Sequence, residues 1–210
     1  MRKVTLVCSS HREKGLCNAR ELLGILRAIG PDTIFFEARP SDLDLHSKTL
    51  EGEALKIYRE RNPFNGVPVD RYEIHAEFRA TIDRVLDRVL DNSDEYLALH
   101  QEIEYSAHCR GFSYLNGVPF AQVRTRMSEI EDEVTYATGD ETLIRGLQMW
   151  RRVERERNVE MVRNIYKYCR ESVFDVGMFL VGAAHKGGIV EAVEVCSSTE
   201  PDLVEWKFDL

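Results

Sequence analysis

No stretch of the sequence approaches the roughly 18 consecutive apolar residues of a membrane span. The apolar run after Met1-Arg2-Lys3, Val4 to Cys8, is far too short for a signal peptide. There is no basic surplus: 36 acidic residues stand against 28 basic ones, for a net charge of −8. That balance speaks against a nucleic-acid partner, which needs a basic face. Cysteine is scarce and unpaired. Cys8, Cys17, Cys109, Cys169 and Cys196 are scattered without a CxxC pair. A disulfide framework and a four-cysteine zinc knot are disfavoured, and reduced cytosolic thiols are expected. Low-complexity tracts, internal repeats and Pro/Gly-rich linkers are missing as well. The expectation is a single domain over 1–210, soluble and cytoplasmic, with neither a membrane nor a nucleic acid as partner.

What is present suffices for an ordinary domain core: 210 residues, 43% hydrophobic and 30% charged. Val4-Thr5-Leu6-Val7-Cys8 is short, apolar and β-branched and reads as a buried strand. Ala19, Leu22, Leu23, Leu26 and Ile29 share one helical face over 18–29, and Gly30-Pro31 stops that helix. Thr33-Ile34-Phe35-Phe36 is a second strand, ending at Glu37. Strand, helix and strand at this length predict a parallel pair with a crossover. Val67-Pro68-Val69 is a candidate third strand, which Pro68 places at an edge. Helices are predicted over 72–90, 93–108, 128–137 and 141–170. A strand comes next at Met178–Val181, then a helix from Ile189 to Val195, and a weak terminal strand between Asp202 and Phe208. The fold class is α/β, a mostly parallel sheet interrupted by a helical block from about 72 to 170. The apolar stripes on 72–90 and 93–108 are open to two uses, the chain's own core or the seam of a homo-oligomer.

Ligands in an open α/β sheet gather beyond the carboxyl ends of the strands. Three strands here end in useful chemistry: Cys8-Ser9-Ser10-His11, Glu37, and Gly182-Ala183-Ala184-His185. The two histidines stand at matched offsets after separate strands. Two imidazoles and a carboxylate suit a divalent metal with positions left for water. They suit equally a metal-free histidine base, and the bland reading is a pair of loop histidines bonded to backbone.

On the long helix, Arg157 falls on the apolar stripe between Trp150 and Met161, with Glu154 and Asn158 close by. A charge there is expensive unless paired. Arg157 either pairs internally with Glu154 or faces a polar pocket, where it would bind a carboxylate or an oxyanion with Asn158 assisting. Lys186-Gly187-Gly188 offers backbone N–H groups to an anion at a helix N-terminus, or merely a tight turn. Asp70-Arg71 is a turn ion pair by default, with either residue alternatively a partner to the site residues, and Cys8 is a small core residue rather than a nucleophile, which would need a lowered pKa.

Taken in order, strand-Ser-Ser-His, strand-Glu, Val-Pro-Val-Asp-Arg, Glu-Arg-Asn-x-x-Met and Val-Gly-Ala-Ala-His-x-x-Gly-Ile resemble the TraB/PrgY superfamily, from residue 4 to about 195. That superfamily takes in the Tiki proteases and, more distantly, erythromycin esterase-like and ChaN-like proteins. The resemblance implies an α/β fold whose two Gly-x-x-His histidines and a glutamate form one site. The second motif is intact at Gly182–His185, while in the first Cys8 occupies the glycine's place. Carried over, the candidate catalytic residues are His11, Glu37, Arg157, Asn158 and His185, with His11, Glu37 and His185 as metal ligands. The implied activity is metal-dependent hydrolysis of a peptide or of a small-molecule amide or ester, with manganese, cobalt or zinc. Two alternatives stand beside it: a non-catalytic module binding a small ligand, a haem or a peptide, and a metal-free His/Glu hydrolase.

Overall fold

The computed structural model describes residues 2–39 and 49–210. Its centre is a five-stranded, all-parallel sheet: β1 (Arg2–Ser9), β2 (Thr33–Phe36), β3 (Asn65–Pro68), β4 (Val176–Gly182) and β5 (Val204–Lys207), in the order β3-β2-β4-β1-β5. Every residue of β1 from Val4 to Ser9 is buried, and so is all of β4 after its first residue. Both alternating faces of the central strands are therefore covered, as an all-parallel sheet requires. This is the α/β class expected, with Pro68 on an edge strand.

One part of the expected topology is corrected. β1 and β2 lie parallel in the same sheet, but β4 is inserted between them and pairs with both. The two strand ends that supply His11 and Glu37 thus flank the strand that supplies His185.

The helices are α1 (Ala19–Ile29), α2 (Leu50–Arg59), α3 (Ala76–Asn92), α4 (Asp94–Leu115), α5 (Val118–Ala137), α6 (Glu141–Glu171) and α7 (Lys186–Thr199). α1 is capped at its start by the Asn18 side chain and ends at Gly30 in the left-handed region, φ 64°. α2 is not among the predicted helices. Its signal is Thr49, whose hydroxyl caps Gly52, with Leu50, Ala54 and Tyr58 buried at four-residue spacing after it. α4 runs seven residues past its expected end and breaks at Gly111, φ 56° and ψ −135°. A Cβ there would collide with the Leu16 carbonyl, so the close approach of the 11–18 loop dictates the glycine.

The main core lies between the sheet and α1, α2, α6 and α7, with the end of α4 and the start of α5 joining it through Phe112, Leu115 and Phe120. A smaller one, Val89, Tyr96, Val123, Met127 and Ile130, lies within the helical block. Glu131 is sealed beside it, accepting from the Tyr96 hydroxyl at 2.8 Å and from Arg151 at 2.6 Å. Of the stripe on α3, Val89 belongs to this smaller core with Leu86 packed against it, and Val85 is also buried. Among the described residues no helix is long and apolar enough to cross a membrane.

Candidate active site

The register of the sheet sets the site. Ser9 stands opposite Gly182, and the Glu37 amide donates to the Leu180 carbonyl at 3.2 Å. β1, β2 and β4 therefore end side by side, and the residues just beyond their carboxyl ends converge on Glu37. Its Oε2 accepts from the Gly182 amide at 2.8 Å and lies 3.6 Å from His11 Nε2. Its Oε1 lies 2.9 Å from an Arg157 guanidinium nitrogen and 3.2 Å from His185 Nε2. His185 Nδ1 is bonded to the Asn158 Oδ1 at 2.7 Å. All five predicted site residues, His11, Glu37, Arg157, Asn158 and His185, share one cluster.

The glycine of the second Gly-x-x-His motif has a physical reason. A Cβ on Gly182 would lie 2.7 Å from His11 Nε2 and 3.2 Å from Glu37 Oε2. Gly188 has a similar one: a Cβ there would overlap the Asn158 amide. The Lys186 side chain ahead of it is turned onto the Asn116 carbonyl. At the first motif β1 continues through Cys8, which is fully buried, with its thiol pushed up to about 12 by burial. The turn falls instead at His11, the one non-glycine residue with positive φ (58°) among the described residues.

Arg157 does not pair with Glu154, which lies 4.0 Å from Arg151 instead. Its guanidinium bridges Glu37 and Asp70, reaching the Asp70 Oδ2 at 2.6 and 3.2 Å. Asp70 is buried, and its other oxygen caps the Tyr72 amide. The default reading of Asp70 as a turn ion pair is thereby corrected. Two acids share one buried guanidinium, which suits its planar fork. Asn164 of α6 holds the end of β3 through the Val69 carbonyl, 2.8 Å away.

Glu51, on α2, is a member of the site that sequence reasoning misses. Its Oε1 lies 2.9 Å from His11 Nδ1 and also accepts from the Ser9 hydroxyl. Helical spacing marks a stripe there, but nothing local links Glu51 to a histidine 40 residues away.

The electrostatics stem from these contacts. Burial disfavours the charged His11 ring, but its bonds with Glu37 and Glu51 prevail and push it up to about 10. Burial likewise penalises the charged carboxylates. Against it, His11 and His185 hold Glu37 well below the usual carboxylate range, and His11 and Ser9 draw Glu51 down to about 2. Arg157 is raised, because Asp70 and Glu37 outweigh its burial. Exposure is uneven: the His11 side chain is 44% exposed, against 12% for Glu37 and 10% for His185. His11 is thus the member of the cluster that meets solvent, and the long 3.6 Å contact is the one beside it.

In this arrangement the metal-donor atoms are spent on one another. Glu37 carries Arg157 on one oxygen and a backbone amide on the other, and a cation beside it opposes a second one. Among the described residues there is no group of three or more His, Cys, Asp or Glu side chains placed to hold a metal ion. His11, Glu37 and His185 do not fit a divalent ion unless Arg157 leaves Glu37. A groove of about 550 Å³ lined by Glu13, Asn18, Leu23, Glu53 and Ile57 includes none of the cluster residues. The convergence of charged groups, rather than that groove, marks the site. All five cysteines are free thiols.

Comparison of the chain with models of known protein families, with curated proteins and with solved structures finds no match in any of the three.

Proposed function

We propose that the chain is a hydrolase of ester or amide bonds in a peptide or small molecule, working through His11 and Glu37 without a metal ion. The observation that carries this reading is the contact between His11 Nε2 and Glu37 Oε2, 3.6 Å long and at the exposed side of an otherwise closed network. A water on the solvent side of that pair would accept from the imidazolium N–H and donate to the carboxylate. Water adds to the substrate carbonyl and its proton passes to Glu37. His11 hands its own proton to the leaving group, and the proton on Glu37 then returns to His11. Arg157 and His185 keep Glu37 ionised and in place. A carboxylate held this acidic is a weak base, so the reading favours esters, with good leaving groups, over amides. The resemblance of the motif order to the TraB/PrgY superfamily points towards the hydrolase class, and free thiols accord with a cytoplasmic setting.

A second reading requires Arg157 to leave Glu37: His11, Glu37 and His185 would then hold a manganese, cobalt or zinc ion, which would supply a Lewis acid. In its favour, each imidazole has its Nδ1 anchored by a side chain, Glu51 or Asn158, as metal-ligating histidines do. One assay separates the two: hydrolysis of p-nitrophenyl acetate by chelator-treated protein and by the His11→Gln variant. The metal-free reading predicts activity that survives chelation and falls at least about 100-fold in the variant. Activity that appears only on adding a divalent ion, or that is unchanged in His11→Gln, overturns it.

A further inference from the structure

We infer that Glu51 is a positioning residue for His11, fixing the ring through Nδ1 so that Nε2 is the nitrogen presented to substrate. The inference rests on the acid–base role proposed for His11 and adds a residue to it. A carboxylate that holds one nitrogen of an imidazole sets both its orientation and its tautomer, and leaves the other nitrogen free to work. Here the pair is His11 Nδ1 with Glu51 Oε1 at 2.9 Å, and the other nitrogen stands 3.6 Å from Glu37 on the side of the ring that meets solvent.

His185 does not offer the same arrangement. Its Nε2 faces Glu37 and its Nδ1 faces Asn158, both in the interior, so no ring nitrogen is left over.

Three features set Glu51 apart from an incidental ion pair. Its carboxylate is buried, 6% exposed, where an unpaired charge is expensive. It is backed by Ser9, itself buried, which donates to the same oxygen that holds the ring. Its second oxygen, Oε2, is sealed from solvent without a partner among the described residues. A carboxylate committed through one oxygen to one ring and one hydroxyl is built to hold the ring. The positive φ of His11 works to the same end, because the backbone is bent where the ring must be aimed.

In Glu51→Gln the amide oxygen can keep accepting from the ring and from Ser9, so shape is retained and charge removed; the NH₂ replaces the sealed Oε2, and its desolvation is read from the melting curve. Glu51→Asp keeps the charge but withdraws it by one methylene.

The experiment compares wild type, Glu51→Gln and Glu51→Asp by steady-state hydrolysis of p-nitrophenyl acetate, by thermal melting, and by ¹⁵N spectra of the histidine rings. Expected for Glu51→Gln is a fall in kcat of about 100-fold with KM within about twofold, a folded protein, and shifted His11 ring nitrogens beside unshifted His185 ones. Glu51→Asp should recover part of kcat. Unchanged kcat, or kcat falling only in step with loss of folded protein, contradicts the inference. Should the wild type hydrolyse nothing, the hydrolase reading falls by itself. The spectra then decide on Glu51, and identical His11 nitrogens in wild type and Glu51→Gln would overturn its positioning role.

Discussion

Arg157 is the residue on which the largest stability effect depends. Its guanidinium serves Glu37 and Asp70 together, so its loss deprives buried Asp70 of its cation and takes one from Glu37, which keeps His11 and His185. Removing one partner of a buried ion pair costs about 3–5 kcal/mol. Arg157→Ala should lose stability in that range in chemical denaturation. Arg157→Lys should recover only part of it, since a point charge replaces a planar fork. A loss below about 1 kcal/mol in the alanine variant, the size of an exposed pair, would mean that the bridge does not form. Arg157 is legible in the sequence because a charge on an apolar stripe demands an explanation. Its partners are not. The stripe says which way Arg157 faces, and only the sheet says that Glu37 and Asp70, 120 and 87 residues away, are there to meet it.

Helices hold the site's second layer, and here glycines decide what fits. α7 packs against α6 with Gly188 under the Asn158 side chain. Gly188→Ala inserts a methyl group where that amide sits. The crowding, about 1–3 kcal/mol, exceeds the roughly 1 kcal/mol that alanine gains over glycine within a helix. The expected outcome is a lower melting temperature together with a weakened His185 anchor and reduced hydrolysis. Gly187→Ala is the control, because a Cβ there meets nothing within 4 Å; it should melt no lower than wild type and keep its activity. Equal behaviour of the two variants would remove Asn158 from the site. At this scale the sequence is informative about periodicity and weak about connection. The long helix is readable from its stripe, and α2 escapes although Thr49, Leu50, Ala54 and Tyr58 carry the usual signs. With α2 goes Glu51, the least visible member of the site.

Across the whole molecule, the sheet order does the assembling. A parallel sheet with β4 between β1 and β2 puts three strand ends in one place, and no local pattern specifies that order. Matched offsets after separate apolar strands make His11 and His185 visible together, and a third strand end adds Glu37; neighbour relations among strands have to come from the structure. The charge network also couples the site to stability. His11 in the folded chain titrates above its unfolded value of about 6.5. Its contribution is therefore complete below that pH and is lost as pH rises through about 10. Glu51, depressed to about 2, contributes above about 4.5 and loses its contribution as pH falls towards 2. The difference in melting temperature between wild type and His11→Gln should thus narrow steadily from about pH 6.5 to about 10; a constant difference over that window would contradict the coupling.

The most direct measurement is the titration of the His11 ring by NMR in the intact, chelator-treated protein. Held between Glu37 and Glu51, it should keep its proton through neutral pH and release it with a midpoint of about 10. A midpoint near the ordinary value of about 6.5 would show that the two carboxylates do not enclose the ring, and the site described here would not exist as an acid–base centre.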